Sequence, residues 1–545
     1  MRIHKISQLP YCIAILAFLC FITGCTSEST STVTLDNAGQ ILRIGSGTEP
    51  PDLDPHIITG QIEINTITSL FEGLVSRDPV TLAVIPAAAD TWQISDDGLT
   101  YTFHIRPDAK WSNGEPLTAE DFYYSWQRIL NPAIASENAY HYYSIVNAEE
   151  YNNGIIEDFG QVGIQVENSN LVFRLKDPEP LFLEWLTKNT SFPVHRKTIE
   201  AHGRISDRGS AWTRAGNLVS NGPFTLEEWV TNKIIRVTKN PYYWDRGRIK
   251  LDEMHFLPVE SMTTEERMFR DGQLDMSMLG NIPTEKIEWY KQNQPDHISI
   301  TPVYATYYYM LNTTMEPLDD VMVRRALAMS IDRQIIVDKV TKGGQIPAFT
   351  LNPVNPKGYS PISFLEYNVE QARQLLAEAG YPDGKGFPAV EILYNTLESH
   401  RQVAQVIQEM WKQNLNIETT LVNQEWKVFL DTQKQLAYHI SRSGGGSEVA
   451  DPSDFLDGYT SGSGMNNTGW KNAEFDALVK RGKTAADPLE RYGLFQQAEK
   501  ILIDEVPIIP IYYYTKIYLR SPRVKGWKDN LLDYVSYKDV YLDVE

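Results

Sequence analysis

Hydrophobic and polar positions in this chain fall in short runs, and their period switches repeatedly between that of a strand and that of a helix. Ile41 to Ile44 reads as a strand. Thr100 to Ile105 alternates polar and apolar residues directly after an Asp97-Gly98 turn, which predicts a half-buried strand. From Thr118 the spacing becomes helical as far as Leu130. Thr118 is placed to be the N-cap and Asp121 to answer it from the third helical position. Asp320 caps a second predicted helix whose apolar face is Val323, Ala326, Leu327 and Ile331. Asn368 caps a third, with Ala372, Leu375, Leu376 and Ala379 on one face and Gly380 and Pro382 to stop it. A further helix is expected over Ser399 to Gln413. Short strands mixed with helices over this length predict α/β lobes with more than one chain crossing between them.

The N-terminus follows another pattern. Arg2 and Lys5 precede a nearly unbroken apolar run from Tyr11 to Ile22, and Ile22-Thr23-Gly24-Cys25 follows. The run is short for a membrane span, which needs about 20 residues. A basic start, an apolar stretch and a small residue before cysteine read as a lipoprotein signal over residues 1–24. Cys25 would then be the lipidated first residue, and residues 25–40, rich in Ser and Thr at their start, a flexible tether. An ordinary secretory signal or an uncleaved anchor are the alternatives. The other two cysteines, Cys12 and Cys20, lie inside the apolar run, so cleavage would leave no pair for an intramolecular disulfide.

The formal net charge is −20, and loss of Arg2 and Lys5 with the signal would make it more negative. That argues against a nucleic-acid partner, because phosphate binding wants a basic surface. The 29 Tyr and 12 Trp suit sites that are apolar on one side and hydrogen-bonding on the other, although packing accounts for most of them. There is no His-Glu-x-x-His, no Gly-x-Ser-x-Gly and no Gly-x-x-x-x-Gly-Lys, and the ten histidines are scattered. No metal site, cofactor or catalytic group is therefore expected. A carboxylate pair for glycoside hydrolysis stays open, since two distant acids can meet in space.

Several segments, taken in order, carry more information. They are Leu42-Arg43-Ile44-Gly45 with Leu53-Asp54-Pro55-His56, Leu70-Phe71-Glu72-Gly73-Leu74, Asp97 through Arg106 with Ala109 through Gly114, and Asn221-Gly222-Pro223-Phe224 with Asn240 through Trp244. Leu318 through Arg333 and Tyr512-Tyr513-Tyr514 complete the set. This ordered set resembles the extracytoplasmic oligopeptide- and dipeptide-binding proteins of ABC importers, solute-binding protein family 5. The resemblance implies an α/β, three-lobed type II periplasmic-binding-protein fold with a hinged ligand cleft. It places lobe I at residues 41–71, 203–304 and 516–545, lobe II at 72–202 and lobe III at 305–515. It implies a monomer in the cell envelope that is not an enzyme. Anchored through lipid on Cys25, it would capture short peptides and deliver them to a permease and ATPase pair. A non-peptide amine-bearing solute or a cell-wall peptide is the alternative ligand.

The resemblance also nominates a site. Thr59-Gly60-Gln61 and Ser443-Gly444-Gly445-Gly446-Ser447 match the strands that pair with the peptide main chain, a form of strand addition. Glu448 stands where the family places an aspartate for the peptide ammonium, while Gly445 and Val449 stand where Trp and Tyr are common. Arg442 and His400 match positions near the ligand main chain or C-terminus, and either could neutralise a carboxylate. Trp426 matches a pocket-lining tryptophan, with a core role as the alternative. Two positions that are basic in some relatives hold Gln433 and Thr341, with Lys434 and Lys342 adjacent. Where some relatives pair two cysteines, this chain has Ala305 and Gly446.

Overall fold

The computed structural model describes residues 39–278, 282–355, 357–447 and 449–543. The lipidation candidate Cys25 and the anchor candidate Glu448 lie outside them.

Three sheets organise the described chain, each with its own apolar core. The first has five strands in the order Met276–Ser277, Ile41–Gly45, Glu253–Leu257, Ile234–Lys239 and Phe224–Val230. Ile41–Gly45 runs parallel to both its neighbours, with Leu42 opposite Met254 and Ile44 opposite Phe256, all four buried. The second sheet is a four-stranded antiparallel one, Ala89–Ile94, Thr100–Ile105, Asn170–Arg174 and Ile164–Glu167. The predicted strand Thr100–Ile105 turns Tyr101, Phe103 and Ile105 inward, as its alternation requires. The third sheet is mixed and has six strands: Ile346–Pro347, Ile508–Leu519, Ile298–Leu311, Ile440–Gly446, Val390–Asn395 and Thr419–Gln424.

The local signals behave as the sequence predicts. Thr118 and Asp121 form a capping box at the start of the helix Ala119–Ile129. Asp320 accepts from the Met322 amide at 2.7 Å and opens Val321–Met329, which buries Val323, Ala326 and Leu327. Ile331 falls just past that helix, yet is fully buried. Asn368 accepts from the Gln371 amide at 3.0 Å and opens Val369–Glu378, and Gly380 takes the left-handed conformation (φ 95°) just beyond it. The helix expected over 399–413 runs from Glu398 to Leu415.

Three of the segments behind the resemblance meet in one cluster. Glu72 is their meeting point: Tyr243 donates to it at 2.7 Å, Trp244 at 2.6 Å, and Lys538 pairs with it. Asn221 closes the same cluster by accepting from the Glu72 amide and donating to its carbonyl. A Cβ on Gly222 would lie 2.4 Å from the Leu70 backbone, so only glycine fits there.

Two long antiparallel strands, Ile298–Leu311 and Ile508–Leu519, run from the six-stranded sheet to the unit of the five-stranded one. Their inner halves belong to the six-stranded sheet. Their outer halves carry Ile298, Ile300, Ile517 and Leu519 onto a cluster with Phe269 and Tyr290. The register shifts between Pro302 and Thr306. Proline cannot donate to a ladder, so the break falls where the sequence puts Pro302.

Candidate functional site

The three units meet around a cleft of about 290 Å³. Thr59 and Gln61 line it from the first unit, Arg77, Lys188 and Asn189 from the second, and Gly446 and Ser447 from the third. Residues 532–535 line it as well. Two segments nearly 400 positions apart in sequence, both expected at the site, are thus brought together.

Their local structures differ. Thr59 and Gly60 precede a helix rather than forming a ladder strand. Gly60 is its N-cap, with extended backbone (φ −86°, ψ 148°), and Gln61 is its first residue. The helix forms because Ile67 and Leu70 are buried one turn apart and Glu63 complements the positive N-terminus. The expectation of a pairing strand at Thr59-Gly60-Gln61 is corrected to that extent.

The glycine segment is a strand, as expected. Ile440–Gly446 pairs with Ile298–Leu311, placing Arg442 opposite Tyr309, Gly444 opposite Tyr307, Gly445 opposite Thr306 and Gly446 opposite Ala305. The two positions that hold cysteines in some relatives therefore face each other. On the other edge, pairing with Val390–Asn395 covers only Ile440 and Ser441. From Ser443 to Gly446 the ladder is made on one side only among the described residues, and the glycines put no side chain over the open edge. A Cβ on Gly444 would meet the Tyr514 hydroxyl at 2.7 Å, so its bareness is also a packing requirement.

Arg442 sits on this strand in neutral company. Its guanidinium donates to the Tyr514 hydroxyl at 2.9 Å and to Asn395 Oδ1 at 3.3 Å, and lies 4.8 Å from the Tyr307 ring centroid. Its Nε is buried without a hydrogen-bond partner, and no carboxylate pairs with it among the described residues. Burial opposes its charge, but the hydroxyls of Tyr514, Tyr307 and Tyr512 more than offset that and its pKa is raised overall. Gln433, buried where some relatives are basic, donates to the Arg442 carbonyl at 3.0 Å and so fixes the strand instead.

His400 lies beside it, with Nδ1 3.4 Å from the Tyr307 hydroxyl. Burial and then the Arg442 charge push its pKa down to about 3. The imidazole is neutral at pH 7, so of these two residues Arg442 carries the charge. Neither is among the residues that line the cleft, whose wall holds the cations Arg77 and Lys188. Trp426 does not line this cleft and is not core. It is 52% exposed, stacked on Phe429, just past the carboxyl end of Thr419–Gln424. That strand end lies beside Asn395, the partner of Arg442.

Val449, where tyrosine is common, is fully buried inside the core of the four-stranded unit. Sequence reasoning missed Arg77 and Lys188, two buried cations on the cleft wall (4% and 6% exposed). Lys188 is 2.9 Å from His141 Nε2, and the His141 pKa is pushed down to about 3 by burial and then by the Lys188 charge. Nothing in the sequence marks a lysine as buried, since most are not.

The chain is similar to known proteins over most of its length. Residues 83–467 match the bacterial extracellular solute-binding proteins, family 5 Middle. The chain is 36% identical over 505 residues to the periplasmic oligopeptide-binding protein OppA of Escherichia coli, covering 91% of each. It superposes on the unliganded open form of the periplasmic murein tripeptide-binding protein MppA with a TM-score of 0.82 at 33% identity, covering 92% of this chain and 97% of that one. Against Haemophilus influenzae OppA in complex with RPPGFSPFR the TM-score is 0.73 at 32% identity, covering 92% and 99%.

Proposed function

Because the chain belongs to the bacterial extracellular solute-binding proteins of family 5, we propose that it captures short peptides in the cleft between its units and hands them to an ABC import permease. The observation that carries this reading is the half-paired strand Ser443 to Gly446. Its open edge can take an extended peptide main chain as an added strand, which gives affinity without dependence on side chains. Arg442 supports it, as a cation with neutral partners that a ligand carboxylate would match. The resemblance assigns the ammonium of the peptide to Glu448.

The lobes carry the boundaries the resemblance implies, and the strand pair at Pro302 and Thr515 serves as the hinge. Closing a hinge over a ligand is a rigid-body rotation absorbed by a few residues. The better superposition on the open form of MppA than on the OppA complex supports an open arrangement of the lobes here. Cys25 holds the protein to the membrane by lipid, and the ligand is returned unchanged. A second reading has support of its own: the similarity to a murein tripeptide-binding protein favours cell-wall peptides as ligand.

Isothermal titration with trialanine, its N-acetyl form, its C-terminal amide and a murein tripeptide separates these readings. The proposal expects trialanine to bind and both blocked forms to bind at least tenfold more weakly. Binding of the murein tripeptide alone would move the assignment to cell-wall peptides. Binding of none of them would sink the peptide reading.

A further inference from the structure

Glu184, in the short helix Phe182–Trp185, lies outside the residues that line the cleft. Its carboxylate stands between two cations from different units. Oε2 accepts from Arg77 at 2.5 Å, and Oε1 pairs with Lys357. Arg77 and Glu184 belong to the four-stranded unit, and Arg77 is part of the cleft wall. Lys357 comes from the unit of the six-stranded sheet. The side chains of Glu184, Arg77 and Lys357 are 12%, 4% and 23% exposed, so water screens this bridge little.

The bridge leads back to the cleft by a second path. The Lys357 amide donates to Asn355 Oδ1 at 3.0 Å. Asn355 Nδ2 in turn donates to the Ala450 carbonyl at 3.3 Å. Ala450 follows Val449, which is seated in the core of the four-stranded unit. On the other side Ser447, which lines the cleft, is held by its amide to the Tyr304 carbonyl at 3.0 Å, and its hydroxyl contacts the Val449 amide at 3.2 Å. The segment at the end of the glycine strand is thus pinned by an apolar plug and by Asn355, and Asn355 sits on a loop that Glu184 tethers.

We propose that Glu184 is a positioning residue for ligand capture. Through Lys357 and Asn355 it fixes where the end of the glycine strand stands against the cleft wall, without touching the ligand. This rests on the peptide-capture reading above for its functional consequence, though not for its structural one.

Hydrogen exchange followed by mass spectrometry tests the structural part with no ligand present. Lys357→Met leaves the Arg77–Glu184 pair intact and removes the tether alone. Glu184→Gln takes the charge out of both pairs. Each should raise deuterium uptake in fragments covering 443–451 while the strands Thr100–Ile105 and Asn170–Arg174 keep theirs. Each should also weaken trialanine binding about tenfold, and the double variant should go no further than Glu184→Gln. Lys357→Arg, which keeps the charge, should behave as the parent. Unchanged uptake at 443–451 in Lys357→Met overturns the proposal, and so does raised uptake with unchanged trialanine affinity. If the parent binds no peptide, the capture reading fails on its own, and the uptake result alone decides the positioning role.

Discussion

Replacing Arg442 by Met removes a buried charge beside the glycine strand whose described partners are neutral. In the parent, the guanidinium donates to a phenol and a carboxamide, faces a ring, and leaves its Nε buried and unpartnered. A peptide carboxylate arriving there would gain a charge-assisted hydrogen bond in a desolvated setting. Truncating one partner of such a pair costs about 2–5 kcal/mol, or roughly 30-fold to several thousand-fold in Kd. The free protein should lose some stability, on the order of 1–3 kcal/mol, because the hydrogen bonds to Tyr514 and Asn395 go and the surrounding hydroxyls favour the charge overall. The assay is calorimetric titration of parent and Arg442→Met with a tripeptide acid and its amide, with denaturant unfolding alongside. The acid should lose affinity strongly, the amide little, and the variant should no longer tell them apart. Equal loss for acid and amide would show a packing role, and no loss would remove Arg442 from the site. Either result refutes the reasoning.

Three other outcomes are expected. Glu448→Gln should weaken binding of a free-amine peptide at least tenfold, about 1.4 kcal/mol, and leave its N-acetylated form unchanged; equal affinity of parent and variant for the free amine would take Glu448 out of the site. Cys25→Ser should move the protein from the membrane to the soluble fraction on cell breakage, and continued tight association would count against lipidation. Stability should fall as pH drops below 6.5. Burial, then the Arg128 charge, hold His56 at a pKa of about 4, so the unfolded chain binds a proton there that the native state refuses. That stabilisation is complete above 6.5 and lost as pH falls to about 4, on the order of 3 kcal/mol for this fully buried ring. His141 and His400 act with the same sign. Glu499, raised to about 7 by burial, acts oppositely, its contribution present below 4.5 and lost as pH rises through 7. Thermal unfolding should show Tm lower at pH 5 than at pH 7, and a flat profile would contradict the histidine assignments.

The legible parts of this fold were those written in local chemistry. The Thr118–Asp121 box and the Asn368 cap depend on neighbours a few residues away, and both stand where the pattern put them. The ordered motifs were legible as a family, but the convergence of three of them on Glu72 is tertiary and only the structure shows it. Thr59 to Gln61 failed as a strand because burial of Ile67 and Leu70 drew the segment into a helix start. The charge of His400 was not legible, because burial beside Arg442 sets it and burial is not written in a lone histidine. Trp426 left two alternatives, cleft or core, and at 52% exposed it is not core. Arg77 and Lys188 gave no signal, since long cationic side chains are ordinarily at the surface.

The central claim is that the cleft beside the glycine strand holds a peptide. Native mass spectrometry of the soluble chain from residue 26 onward, purified without unfolding, tests it most directly. A set of bound masses that fragment as short peptides, and that Arg442→Met depletes, is the expected result. A single bound mass that is not a peptide, or a protein that binds nothing when offered a peptide pool, would contradict it.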